Sequence, residues 1–308
     1  MSSLSVVIPT YNRKNILQRT LEGLAAQSAW ADIDEILVID DGSTDGTNRL
    51  VADYTRCSRV PVRSFRQSNL GQAAARNVGI REAQSSILLF LDDDIVPSPA
   101  LVTEHLAWHD RHPEPHMGVL GFVTWAPEVR ATPFMEWLGL DGPLWAYAHF
   151  KPGSRLDFHA FYTCNLSLKT DFLRQHGRFD EDFKGYGWED TDLGHRLEKH
   201  GFALFYHPEA VGYHHKRVTF EEACRRARQV EASSRIFAAK EAGQYLTELE
   251  NLSEISIKSR VKTLLNDALG PVFAVSKPLM DSHVRLPWFL YRGCYNYWTS
   301  PERQQAGQ

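Results

Sequence analysis

The sequence predicts an α/β protein, with a doubly wound, mostly parallel sheet and a helical C-terminal extension. Three observations carry that prediction. Short β-branched apolar runs alternate with stretches of helical spacing through the first 125 residues. The runs are apolar throughout rather than alternating, as strands covered on both faces are. After His215 the strand signals stop and long helical patterns take over. Strand–helix alternation of this kind implies right-handed crossovers and helices on both sheet faces.

SVVIP (5–9) is a buried parallel strand, and KNILQRTLEGLAAQS (14–28) sets Ile16, Leu17, Leu21, Leu24 and Ala25 at helical spacing. EILVIDD (35–41) is a second strand, followed by a helix over 45–56 with Asp45 as its N-cap. A third strand over 62–67, an alanine-rich helix over 71–84 and a fourth strand over 86–92 complete the repeat. A helix over 99–111 and the strand 118–125 follow. Residues 125–160 are rich in Trp, Pro and Gly and read as long loops or short helices forming a lid. The stretch 185–201 carries a helix stopped by Gly201, and 203–215 reads as closing strands. Beyond it come helical patterns over 218–252 and 257–276, an aromatic and basic stretch over 286–298, and a frayed tail, 302–308. The expected division is a sheet domain over 1–215 and a helical extension over 216–308.

A net charge of −4 in 308 residues gives no global field for nucleic acid. Four irregularly spaced cysteines, Cys57, Cys164, Cys224 and Cys294, argue against a zinc ribbon or a disulfide framework and fit a reducing compartment. The strand-like N-terminus lacks leader features, and there is no apolar run of the roughly 18 residues a membrane helix needs. The expected location is the cytoplasm, with peripheral contact at the inner face of the membrane compatible with it.

In doubly wound sheets, ligands bind beyond the carboxyl ends of the strands. Here those ends deliver Pro9, Thr10, Tyr11 and Asn12, then Asp40 and Asp41, then Asp92, Asp93 and Asp94. Adjacent carboxylates repel, so a cation or solvent must offset the charge of LLFLDDDIVP (88–97). Neither a Walker loop nor a G-x-G-x-x-G follows the first strand, so phosphates would be held through a divalent cation on carboxylates. Alternation in extended chain puts Asp92 and Asp94 on one side and Asp93 on the other.

The ordered motifs SVVIPTYNR, EILVIDDGSTDGT, NLGQAAARNVGI, LLFLDDD, GRFDEDF and WEDTDLGHRL resemble those of family 2 glycosyltransferases, over roughly residues 4–215. The resemblance implies the GT-A fold and inverting, metal-dependent transfer of a sugar from a nucleoside-diphosphate sugar, UDP-sugar favoured, in glycan, glycolipid or polysaccharide assembly. It implies nucleotide contacts from Pro9, Thr10, Tyr11, Asn12, Asp40 or Asp41, Arg76, Asp92 and Asp93. Asp92 and Asp94, with His214 or His215, are the implied ligands of Mn²⁺ or Mg²⁺. Asp190, next to Glu189, matches the general base, and a helix-start position is expected to favour its ionised form. Asp192 and Arg196 are spaced to pair on that helix. Trp188 would stack on the acceptor, a glycan, lipid-linked or small-molecule hydroxyl compound. The C-terminal arginines 225, 226 and 228 and aromatics such as Trp288 and Phe289 suit homodimerisation, a packed extension, acceptor binding or a membrane surface. The alternatives are a catalytically silent nucleotide-sugar-binding scaffold and a sugar nucleotidyltransferase. The second would call for a glycine-rich loop after the first strand, which VVIPTYNR lacks.

Overall fold

The structure is a computed structural model that describes residues 3–249 and 269–300. The predicted helical pattern over 257–268, the end of the 218–252 pattern and the tail lie outside the described residues. The chain divides into two compact units. One comprises Met1–Val129, Tyr147–Lys184 and Glu189–Lys216, the other Arg130–Ala146, Gly185–Trp188 and Arg217–Gln308.

The first unit is built on a sheet of nine strands among the described residues: β1 (Leu4–Thr10), β2 (Ile33–Asp40), β3 (Val62–Arg66), β4 (Ile87–Leu91), β5 (Ile95–Pro97), β6 (Met117–Trp125), β7 (Arg155–Leu156), β8 (Asn165–Lys169) and β9 (Ala203–His214). The order is β3-β2-β1-β4-β8-β6-β9-β5, with β7 also on β9. β3, β2, β1 and β4 are parallel, as the apolar runs require. β8 is inserted antiparallel between β4 and β6, and β6 and β9 are parallel again. The closing segment is one strand rather than several. Its register slips between Gly121 and Phe122 of β6, where Gly121 faces His207 and Phe122 faces Val211. Pro208, which has no N–H for the ladder, lies within that bulge.

Helices α1 (Lys14–Ala25), α2 (Thr47–Cys57), α3 (Gln72–Glu82), α4 (Leu101–Arg111), α6 (Thr170–His176) and α7 (Glu189–Lys199) accompany this sheet, while α5 (Pro133–Leu140) belongs to the second unit. Every residue of β1 and β4 is buried, so both faces must be covered. α3 covers β1 closely because its facing side chains are small. A Cβ on Gly79 would come 2.2 Å from Val7 Cγ1. α4 is fixed to β8 by a buried polar network. His105 bonds Ser167 Oγ at 2.8 Å and Asn165 Oδ1 at 2.9 Å, and His109 reaches the same Ser167 Oγ at 2.9 Å. Burial pushes the two imidazoles down to about 4 and about 2, so both are neutral partners in the core.

The second unit contains α5, α8 (Phe220–Leu249), α9 (Gly270–Ser276) and α10 (Trp288–Thr299). Thr132 caps α5 through Met135 N, and Pro133 opens it, the pattern expected of a helix start. Phe134 packs on Phe220 at 5.2 Å and Trp137 stacks on Tyr291 at 6.4 Å between ring centres. The arginine cluster of α8 is engaged within the unit: Arg225 faces Glu222 and Arg226 lies over the Tyr186 ring. All four cysteines are free thiols.

The close α3–β1 approach makes a prediction. Gly79→Ala should destabilise the protein by about 1–3 kcal/mol through overpacking against Val7, more than its helix-propensity gain restores. Urea unfolding, read as a shift in midpoint at unchanged slope, checks it.

Candidate active site

The loops after β1 and β2 are stitched together backbone to side chain. Asn12, at φ 54°, donates its N–H to Ser43 Oγ at 2.9 Å and accepts from Thr44 N at 2.7 Å. Asp45 accepts from Lys14 N at 2.9 Å and from Thr47 N at 3.0 Å. It therefore caps the first turns of both α1 and α2, and these bonds hold its carboxyl below the usual range. Tyr11, 46% exposed on this loop, is not a core aromatic and its ring is open for stacking. Pro9 is buried in β1 opposite Ile39, so its contribution is to the strand rather than to an open surface.

The two adjacent aspartates after β2 are separated by their partners. Asp41 is saturated: it accepts from Gln67 Nε2 at 2.7 Å, Leu70 N at 2.8 Å and Gly71 N at 2.9 Å, and so organises the loop into α3. Asp40 accepts from Ser43 N at 2.7 Å through Oδ1. Its buried Oδ2 has no hydrogen-bond partner, with Arg66 Nε 3.8 Å away. A buried carboxylate oxygen left unbonded is costly, and a ligand N–H would satisfy it.

The three aspartates after β4 divide in two: Asp92 goes to Arg76, whereas Asp93 and Asp94 share Arg13. Asp92, about one-third exposed, takes Arg76 at 3.0 Å. Asp93 turns inward, but not by alternation: residues 92–94 form a turn closed by Ile95 N on the Asp92 carbonyl, so Asp94 joins Asp93 rather than the expected Asp92. It accepts the Thr10 hydroxyl at 2.7 Å and Arg13 at 2.9 Å, while Thr20 Oγ1 donates to its backbone carbonyl at 2.8 Å. Burial pushes its carboxyl up to about 7 against the pull of Arg13. Asp93 thereby ties β1, α1 and the β4–β5 turn into one piece. Asp94 accepts from the same Arg13 Nη1 at 2.6 Å and has His214 Nε2 3.5 Å from its Oδ2.

Arg76 of α3 is 2% exposed and joins the strand end to α7. Its guanidinium donates to Glu189 at 2.8 Å, Asp92 at 3.0 Å and Gln72 at 3.1 Å. Buried Glu189 keeps Oε2 without a hydrogen-bond partner. Asp190 follows at the first turn of α7 and accepts from Thr191 N. The helix start was expected to favour the ionised carboxylate. Instead, burial and the neighbouring charge of Glu189 push the Asp190 carboxyl up to about 7, outweighing Arg76 and the backbone bond. Asp192 is apart from this group, paired with Arg196 at 2.8 Å.

The adjacent histidines point differently. His214 is buried beside Asp94 and edge-on to Trp125, while His215 turns towards Glu128 at 3.9 Å. A carboxylate oxygen with one imidazole nitrogen suits Mn²⁺ or Mg²⁺ when substrate oxygens complete the shell. Among the described residues no group of three or more His, Cys, Asp or Glu is placed to hold a metal by itself. The residues present thus fit a cation shared with a phosphate-bearing ligand. Trp188, at φ 73°, packs on Phe237 at 4.9 Å within the second unit.

Four residues that the sequence did not single out as site residues belong here. Arg13 and Thr20 hold Asp93 and Asp94. The Cys164 carbonyl accepts from Asp92 N, and its thiol is pushed up by burial and the carboxylates around it. Tyr162 lies close enough to Asp190 that burial and this carboxylate raise its phenol. Arg13 was legible as a cation directly after a strand facing an acidic cluster; Tyr162 and Cys164 carry no such signal.

Known proteins bear on the family and the fold. The sequence pattern described as Glycosyl transferase family 2 matches residues 5–125, and that described as N-terminal domain of galactosyltransferase matches 146–219. Validoxylamine A glucosyltransferase of Streptomyces hygroscopicus subsp. jinggangensis (strain 5008) is 35% identical over 242 residues, 68% of this chain and 54% of that one. Chondroitin synthase of Escherichia coli is 28% identical over 249 residues, 69% of this chain and 35% of that one. The chain thus spans about half the length, or less, of these curated relatives. Among solved structures, the Pyrobaculum calidifontis mannosyltransferase with GDP-Man and Mn²⁺ superposes with a TM-score of 0.63 at 18% identity, covering 100% of this chain and 88% of that one. S. aureus TarS 1–349 with UDP-GlcNAc gives 0.54 at 19%, covering 99% and 92%. The chain belongs to glycosyltransferase family 2 and has the GT-A fold.

Arg76 is the tie whose loss should be felt most. Arg76→Met leaves Glu189 and Asp92 without their shared cation and is expected to cost about 3–5 kcal/mol. Denaturant unfolding at neutral pH measures it, and Arg76→Lys should recover only part, because an ammonium cannot span both carboxylates in the same way.

Proposed function

We propose that this protein transfers a sugar from a nucleoside-diphosphate sugar, a UDP-sugar by preference, to an acceptor hydroxyl with inversion at the anomeric carbon. The observation that carries the reading is geometric: Asp190 lies half-buried in the first turn of α7, next to the Glu189 that Arg76 ties to Asp92 at the end of β4, and burial and Glu189 push its carboxyl up to about 7. A base with a pKa near the working pH is the efficient choice for proton abstraction. Family membership and the nucleotide sugars held by the solved neighbours, UDP-GlcNAc and GDP-Man, support the donor class.

The steps follow from the residues. Tyr11 offers its open ring to the base of the nucleotide, and the unbonded Asp40 Oδ2 accepts a base N–H. Asp92, partly exposed, is available to the ribose. Asp94 and His214 are the residues that would hold Mn²⁺ or Mg²⁺. Bound there, the cation neutralises charge on the leaving diphosphate. Glu189, anchored by Arg76, presents Oε2 to a sugar hydroxyl. Asp190 takes the acceptor proton as the hydroxyl attacks from the face opposite the leaving group.

The acceptor is a glycan, a lipid-linked or a small hydroxyl compound, in glycan or polysaccharide assembly. The second unit supplies apolar surface for contact with a second copy, the acceptor or a membrane: Val275 is 77% and Phe289 70% exposed. Among the described residues no helix is long and apolar enough to cross a membrane.

Three measurements test the reading. Asp190→Asn should lower kcat by about 10²–10⁴-fold while leaving nucleotide-sugar binding within a few-fold; near wild-type turnover overturns the base assignment. Only the ionised carboxylate accepts a proton. The wild-type kcat/KM should therefore fall tenfold per pH unit below an apparent pKa of about 7 and level off above it, and Asp190→Asn should flatten that limb. Asp40→Asn should weaken UDP binding about tenfold at near-native stability, whereas Asp41→Ala should lower stability by about 2–3 kcal/mol through its orphaned amides. Calorimetric titration and urea unfolding separate the two.

A further inference from the structure

Arg13 bonds one of the residues that would hold the metal. Its Nη1 bridges Asp93 Oδ1 at 2.9 Å and Asp94 Oδ2 at 2.6 Å. The second oxygen is the same one that faces His214 Nε2 at 3.5 Å. Asp93 and Asp94 are buried, yet the Arg13 side chain is 38% exposed. Its guanidinium is therefore a cation held at the mouth of the cluster, with its stem in reach of solvent. A cavity of about 400 Å³, lined by Asn12, Arg13, Lys14, Asn15, Ile16 and Asp45, opens beside it. Asp45 presents an ionised carboxylate on that lining.

We propose that Arg13 is a built-in counter-cation that competes with the divalent metal for Asp94 Oδ2. On this view it withdraws into the adjoining cavity when the metal binds with its donor. The proposal rests on the metal reading of Asp94 and His214 given above. Without a cation, adjacent buried carboxylates would repel and the β4–β5 turn would loosen. A divalent cation and a guanidinium on one carboxylate oxygen repel each other at this range, so each weakens the other's hold on Asp94. Arg13 thus lowers the affinity for free metal and keeps the site formed in its absence. Metal loading is then coupled to arrival of the diphosphate, whose charge favours both cations. Arg13 is a positioning residue in this account. Asp93, with Thr10 and Thr20 also on it, is the fixed end from which the guanidinium pivots.

A purely structural arginine and a competing cation make opposite predictions, which Mn²⁺ titration without donor, read by electron paramagnetic resonance, distinguishes. Arg13→Gln should bind Mn²⁺ about tenfold or more tighter than wild type, while its metal-free form melts at lower temperature. Arg13→Lys, which keeps the charge, should stay within a few-fold of wild type. In the wild-type protein, titration with diamagnetic Mg²⁺ and UDP should move the Arg13 guanidinium N–H resonance from protected to rapidly exchanging. Equal or weaker Mn²⁺ binding by Arg13→Gln, or an unmoved guanidinium resonance at metal saturation, overturns the proposal. If wild-type protein binds no Mn²⁺ with or without UDP, the metal reading of the site fails first.

Discussion

One buried arginine sets the terms for the rest of the site. Arg76 is almost without solvent, so its charge is tolerable only because Glu189 and Asp92 reach it. Those carboxylates come from α7 and from the end of β4, which are distant in sequence. Arg76 and Glu189 are both buried, so removing either leaves the other as an uncompensated charge in a low-dielectric interior, while Asp92 meets Arg76 from the solvent side. α3 can deliver this guanidinium because Gly79 lets the helix lie close on β1. A steric fact about a glycine thus becomes an electrostatic fact about a carboxylate.

The sheet explains why acidic residues gather without unfolding the protein. β1 lies between β2 and β4, so their polar ends share one edge. The fold then assigns each acid a different task through its partners. Asp41 is taken up by Gln67 and the amides of Leu70 and Gly71, Asp93 by Thr10 and Arg13, while Asp92 takes Arg76 and stays about one-third exposed. Oxygens left over, Asp40 Oδ2 and Glu189 Oε2, mark where a ligand would be recognised.

Much of this was legible in the sequence because period and composition are local properties. The parallel strands β1 to β4 and their helices fall close to where the apolar runs and helical spacing put them. The alternation expected at Asp92–Asp94 does not hold, because the chain turns there and sets Asp93 and Asp94 on one arginine. What sequence could not resolve depends on contacts distant in the chain. Asp40 and Asp41 look alike until Gln67, Leu70 and Gly71 are seen to bond one of them. His214 ends β9 and His215 follows it, and only the fold shows that the first lies beside Asp94 and the second turns towards Glu128. The upward shift of Asp190 is not legible either, because a helix start is visible in sequence, whereas the burial and the nearby Glu189 that outweigh it are not. The antiparallel insertion of β8 likewise has no local signature.

The stitching of residues 11–14 to 42–46 has a consequence for engineering. Asn12 holds Ser43 and Thr44, and Asp45 starts both helices that leave these loops. The two loops are remote in the chain but form one mechanical part. A chimera that exchanges either loop alone with a relative, in order to alter nucleotide preference, would sever these bonds and lose two helix starts. Only a paired transplant of both segments keeps the part whole, so the interchangeable module in this protein is discontinuous.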